Sequence, residues 1–255
     1  MSTTPARAER LAALRAEVRA IESAGLGEGA ECLPFGVEAI DSRLVGGGLA
    51  AGALHEAAGE RLGLSDDAAA TLFVAAIAAR RAAMGAGAGG TILWALARRD
   101  LFAPGLACAG LAPGHVLYAE CGRDEDVLAV MEEGLRHGGL AAVVGEAARI
   151  GMAATRRLQL AAEEGGTMAL VLKRWRKAAE DPLAEPSAAV TRWRIGSAPS
   201  TPLAVPGVGR ARWTIALARQ RGGEPSNWIM EAADETGRLA LPADARDGQD
   251  QRRAA

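Results

Sequence analysis

At 255 residues the chain is long enough for one domain with a large core and short for two. Hydrophobic residues make up 49% of it and aromatics only 4%, a balance that fits close helix–sheet contacts and excludes an all-β sandwich packed with rings. The net charge of −2 makes no case for nucleic acid by itself, and no apolar run nears the roughly 20 residues of a membrane span.

Residues 6–23 carry Leu11, Leu14, Val18 and Ile21 at helical spacing with charges opposite, which predicts an amphipathic helix over 1–27, packed on its own domain or docked on a partner. A turn-rich stretch leads to Ala53–Ala58, a first buried strand. Gly59–Gly63 breaks it, and Ser65-Asp66-Asp67 opens a helix to about Met84, with Ser65 as N-cap. A glycine linker (Gly85–Gly90) precedes a strand at Thr91–Leu96.

The pattern then repeats. Strands are expected at His115–Glu120, Leu140–Val144 and Thr167–Lys173, and helices at Asp124–His137 and Ala153–Glu164. Near-continuous apolar strands alternating with helices imply a mostly parallel sheet flanked by helices. Val190–Ile195, Arg212–Gln220 and Asn227–Ala232 instead alternate polar and apolar residues between Gly/Pro/Ser clusters, which predicts antiparallel C-terminal strands extending the same sheet. Residues 242–255 read as a disordered tail. Cys32, Cys108 and Cys121 show no CxxC spacing, and MSTTPARAER lacks the apolar stretch of a secretory leader; both point to the cytoplasm, with no membrane association.

Strand, glycine-flanked loop and capped helix is the layout of a phosphate-binding loop. A working one reads GxxxxGK[ST], with backbone N–H groups cradling phosphates, Lys neutralising them and Ser/Thr on Mg²⁺. Here Gly59-Glu60-Arg61-Leu62-Gly63-Leu64-Ser65 is one residue short, and Leu64 stands where the lysine belongs. Asp66 and Asp67 occupy the helix terminus that would favour an anion. Gly59, Gly63, Leu64 and Ser65 therefore read as a degenerate loop with no cofactor. After Leu140–Val144 the nearest carboxylate for a metal is Glu146, and Thr91–Leu96 is followed by Ala97-Arg98-Arg99 with no acid before Asp100. No catalytic or metal site is expected.

Charge is unevenly spread. Lys173–Arg221 holds ten Lys/Arg against three acids, a balance of +7, while both flanks are acidic. The bases are Lys173, Arg174, Arg176, Lys177, Arg192, Arg194, Arg210, Arg212, Arg219 and Arg221. They are candidates for contact with single-stranded DNA or a protein partner. Trp193 and Trp213 within this segment are expected in the core. His55 and His115 fall in predicted strands and read as hydrogen-bonded core histidines.

LPFGVEAIDSRLVGGGLAAGALHEAAG (33–59) resembles the approach to a RecA core: a G-x-x-x-[IL]-D turn, a GGGL loop, then the first strand. Four further stretches, 101–121, 140–166, 187–200 and 212–232, resemble the ImuA family of RecA-like accessory proteins in bacterial error-prone translesion synthesis. The likeness covers most of the chain from residue 33 on. It implies an α/β RecA-like domain over 28–241 with a lost nucleotide site. It also implies a non-catalytic role in the DNA-damage (SOS) response beside RecA, an ImuB-type polymerase-like adaptor and an error-prone C-family polymerase. Two other readings remain at this point: a SulA-like division inhibitor acting on the division-ring GTPase, for which the +7 segment has little use, and a RecA-like ATPase with a variant loop.

Overall fold

The computed structural model describes residues 31–84, 90–201, 203 and 206–242, with positions 10, 13, 14 and 17 before them. Most of the expected N-terminal helix, of the glycine linker and of the C-terminal tail lies outside the described residues.

Cys32–Leu33 (β1) pairs with Leu49–Ala50 (β2) as a small antiparallel ribbon, bracketing a short helix, Glu38–Asp41 (α1). The Asp41 carboxylate accepts the N–H groups of Phe35, Gly36 and Val37 at 2.6, 2.8 and 3.1 Å, fixing the turn before α1. The main sheet begins with Leu54–Gly59 (β3), and Leu64–Met84 (α2) follows. Then come Ile92–Leu96 (β4), Ala103–Cys108 (α3), Val116–Glu120 (β5), Asp124–His137 (α4), Ala142–Ala147 (β6), Met152–Gly165 (α5) and Met168–Lys173 (β7). Thr191–Ala198 (β8), Arg212–Gln220 (β9) and Ser226–Glu231 (β10) complete it.

The eight strands lie in the order β10-β9-β8-β3-β7-β6-β4-β5. Pairing is parallel from β5 to β8 and antiparallel from β8 to β10. The fold is thus α/β, a mostly parallel sheet flanked by helices with antiparallel C-terminal strands. β3 is central, flanked by β7 and β8, and the chain crosses two strands to reach β4. Such a switch opens a crevice at the carboxyl ends of the strands, where α/β sheets hold ligands. Among the described residues no helix is long and apolar enough to cross a membrane.

Alternating side chains split the core between the two faces. One face packs under α2, whose run of buried alanines lets its backbone approach the sheet closely. Here sit five of the nine aromatic residues, Phe35, Phe73, Trp193, Trp213 and Trp228, with ring centroids 5.5 to 6.5 Å apart. The scarce rings are concentrated where parallel pairing gives way to antiparallel. The other face packs under α4 and α5 through Val127, Met131, Leu135 and Leu158.

Four expectations need correction. β5 is the outermost strand, not a covered one, and exposes Leu117 and Tyr118. His115 lies half-buried in a tight turn (Pro113–His115) before it. β6 runs on to Ala147, so Glu146 is inside the strand, because two buried donors take up its charge. Ser65 lies within the first turn of α2, since the N–H of Asp67 already bonds the Gly63 carbonyl.

His55 is fully inside, as expected of a core histidine. Trp193 Nε1–H donates to Thr191 Oγ1 at 2.7 Å, and Thr191 Oγ1 lies 2.8 Å from His55 Nδ1. Nε2 faces only the Ala50 carbonyl, at 2.9 Å, so it carries the proton and Nδ1 accepts from threonine. Burial pushes the imidazole down to about 4, against the pull of the Ala50 carbonyl. Between that value and the ordinary value near 6.5 the unfolded chain takes a proton that the native ring refuses. Stability from this group is therefore whole above about pH 6.5 and declines as pH falls toward 4, by about 3 kcal/mol. His55→Gln, which keeps a donor to Ala50, should flatten that part of the profile; urea unfolding of both proteins at pH 7 and 4.5 checks it. Parallel profiles would refute it.

Candidate functional site

β3 ends at Gly59, and α2 starts so close behind it that a Cβ on Gly59 would lie 3.1 Å from the Asp66 backbone. The loop between them is stitched shut. Asp66, 4% exposed, accepts from the N–H and Nε of Arg61, both at 3.1 Å, through one oxygen. Its other oxygen accepts the N–H of Ser197 at 2.8 Å. Glu60 accepts from Thr214 Oγ1 at 2.7 Å, and Trp175 Nε1–H donates to the Gly59 carbonyl at 2.8 Å. Of the four loop residues picked out from sequence, Gly59 closes against α2, Gly63 caps it, and Ser65 and Leu64 face outward. Leu64 is 89% exposed and contributes no charge.

Beside the loop, Glu146 reaches in from β6. Its Oε1 accepts Trp94 Nε1–H at 2.8 Å, and its Oε2 takes the Nε and Nη2 of Arg174 at 3.0 and 2.7 Å. Arg174 Nη1 extends to Thr71 Oγ1 on α2 at 2.9 Å. The guanidinium thus bridges the carboxylate at the end of β6 and the hydroxyl of the loop helix. Burial raises the Asp67 carboxyl above its ordinary range, with Arg174 and Arg98 pulling it back.

The basic segment does not form one surface. Lys173 and Arg192 are buried, at 1% and 6% exposure. Arg192 Nε donates to Glu56 Oε2 at 2.7 Å across the β3–β8 pair, and Ser187 Oγ–H donates to Glu56 Oε1 at 2.7 Å. Burial pushes the Lys173 ammonium down, and Glu56 nearby opposes this. Both residues were expected at a binding surface; the carboxylate on the neighbouring strand draws them inside, and Arg174 is held by Glu146. Arg194 pairs with Asp181, and Arg210 with Glu231 at 3.1 Å and the Ala232 carbonyl at 2.7 Å. Arg219 and Arg221 donate to the carbonyls of Ser187 and Ala188 at 3.1 and 3.0 Å, stapling the β7–β8 connection. Arg212 is half-buried; Arg176 and Lys177 are exposed, the latter 3.3 Å from Glu180.

Trp193 and Trp213 are core residues, at 1% and 3% exposure.

What the structure does bring together is a cleft of which sequence reasoning had singled out only Arg174 and Arg176. The carboxyl ends of β4, β6 and β7 border a cleft of about 590 Å³, ringed by Arg98, Arg123, Arg149, Arg174 and Arg176 with Trp175 in its wall. Asp124, at the start of α4, closes one side by accepting the N–H groups of Ala148 and Arg149, each at 3.0 Å. A second hollow of about 340 Å³ adjoins it, sharing Arg149, Arg174 and Arg176. The usable signal was position: Arg98 follows β4, Arg123 precedes α4 and Arg149 follows β6, all at the crevice end of the sheet.

No family profile matches the chain. Protein ImuA of Caulobacter vibrioides strain NA1000 / CB15N is 36% identical to it over 213 residues, 79% of this chain and 84% of that protein. The counterpart in strain ATCC 19089 / CIP 103742 / CB 15 matches to the same extent. On this similarity across most of both chains, the protein belongs to the ImuA family.

Proposed function

We propose that this chain is a non-catalytic accessory factor in damage-induced mutagenic DNA repair in the cytoplasm, binding RecA and/or an ImuB-type polymerase-like adaptor in an assembly with an error-prone C-family polymerase. Family membership supports the pathway. The absence of catalysis rests on one observation: the corner that holds a nucleotide in a RecA-like core is here filled by the chain's own charges. Asp66 takes the Arg61 N–H of the loop and the Ser197 N–H of β8, and Arg174 stands between Glu146 and Thr71 in the place of a cation. A triphosphate approaching this helix terminus meets a carboxylate and gains nothing from the dipole. The crossover from β3 over two strands, with a glycine-flanked loop and an acidic helix start, supports the RecA-like reading of the sheet.

Restoring the lysine should therefore restore nothing. Leu64→Lys is expected to change stability by less than about 0.5 kcal/mol, as at other exposed positions, and to leave the chain unable to bind ATP. Calorimetric titration with ATP and Mg²⁺ checks both proteins; saturable binding by the native chain would overturn the non-catalytic reading. The assembly is tested by a tagged pull-down from DNA-damaged cells after nuclease treatment. Recovery of RecA and a polymerase-like adaptor is the expected result, and recovery of the division-ring GTPase alone would refute it.

A further inference from the structure

The cleft at the carboxyl ends of β4, β6 and β7 has the makings of a binding site that the filled nucleotide corner lacks. Five guanidinium groups line it against three carboxylates, Asp124, Glu125 and Glu146. Asp124 is committed to backbone N–H groups and Glu146 to Arg174 and Trp94, and Glu125 lies 3.7 Å from Arg123 Nη1. The rim arginines are paired at the surface, Arg123 through both Nε and Nη2 to Asp126 and the other two through single contacts. Arg98, Arg123 and Arg149 have side chains 58%, 70% and 64% exposed and pair with Asp100, Asp126 and Glu180, themselves 46%, 44% and 38% exposed. Single-contact exposed pairs such as those of Arg98 and Arg149 contribute little to stability, so their arginines can turn to another anion at small cost. Arg176 makes no ion pair among the described residues.

The aromatic member is different. Trp175 is half-buried, and its indole is fixed by the 2.8 Å bond from Nε1 to the Gly59 carbonyl. Its orientation is set before any ligand arrives. Exposed arginines around a fixed aromatic wall are the two elements with which proteins hold single strands: cations along the phosphates and a ring for the bases. The adjoining hollow, continuous through Arg149 and Arg176, lets a chain run on instead of ending in a pocket.

We infer that this cleft binds a short stretch of single-stranded nucleic acid, its phosphates on Arg98, Arg123, Arg149 and Arg176 and one base against Trp175. The choice of nucleic acid over other polyanions rests on the repair function proposed above; the cleft itself does not depend on partner binding.

The test is fluorescence anisotropy of the full chain with a labelled oligothymidylate, followed across salt concentration. With four phosphate contacts, affinity should fall about 50-fold between 50 and 200 mM salt. Replacing Arg149 and Arg176 together by Gln should weaken binding at least about tenfold and flatten that slope, with the melting temperature unchanged. Trp175→Leu should cost about tenfold at constant slope. No binding at 50 mM salt, or binding that ignores all three substitutions, would overturn the inference, as would capture of an acidic polypeptide such as polyglutamate but not of the oligonucleotide. The repair reading fails separately, through the pull-down, so the two outcomes are distinguishable.

Discussion

Glu146→Ala should be among the most destabilising single substitutions in the chain, at about 3–5 kcal/mol. The side chain of Glu146 is 3% exposed and that of Arg174 11% exposed, so the change strands a guanidinium and the Trp94 N–H in the interior. At roughly 2–4 °C per kcal/mol for a chain of this size, the melting temperature should drop by about 10 °C. Two companions distinguish a lost charge pair from a lost side chain. Glu146→Gln keeps an acceptor for Trp94 and should lose less, while Glu146→Leu with Arg174→Met removes both charges and should recover most of the deficit, because an apolar pair of similar volume is often as stable as a buried ion pair. Urea unfolding of the four proteins measures this. A cost under 1 kcal/mol for Glu146→Ala would show that the bridge does not hold β6 to α2.

Glu56→Ala should match or exceed that loss. Glu56 is fully buried and is the carboxylate that both Arg192 and Ser187 bond, with Lys173 close by. Its removal leaves two buried cations facing each other, a penalty of about 3–5 kcal/mol by the same logic. It also releases Ser187, whose segment Arg219 and Arg221 staple from the far side. The β7–β8 connection should loosen locally, seen as faster proteolysis between Arg176 and Glu185. Adding Lys173→Met to Glu56→Ala should return part of the stability. Unchanged proteolysis in Glu56→Ala would refute the claim that this carboxylate anchors the connection.

The helices and the central strands were legible because their apolar periods are strong: Asp124–His137 begins in three acids and ends in His137 followed by Gly138 at positive φ, and Arg212–Gln220 alternates along its length. The fates of Lys173 and Arg192 were not. Arg192-Trp193-Arg194 reads as a strand with one wet face, and local pattern cannot know that the wet face lies against Glu56, 136 positions earlier. Glu56 is the one acid of the buried strand β3, and a buried acid of this kind marks a cation elsewhere in the chain. β5 misled in the opposite sense. Its apolar residues, Val116-Leu117-Tyr118, match a covered strand, but strand order, a long-range property, leaves it at the edge. At the loop, Asp66 tolerates burial through Arg61 and through the N–H of Ser197, and the second of these is visible only once β8 lies beside β3.

The stitched loop would also be hard to convert into a phosphate cradle. A lysine at position 64 is tolerated because Leu64 points to water, but it faces a terminus already neutralised by Asp66. Removing Asp66 first strips the Arg61 and Ser197 donors of their acceptor, and removing Arg174 first abandons Glu146. Each step toward a phosphate cradle is therefore uphill when taken alone, and only several together are level. The corner is locked by interdependence, each group that closes the loop being held in place by the others.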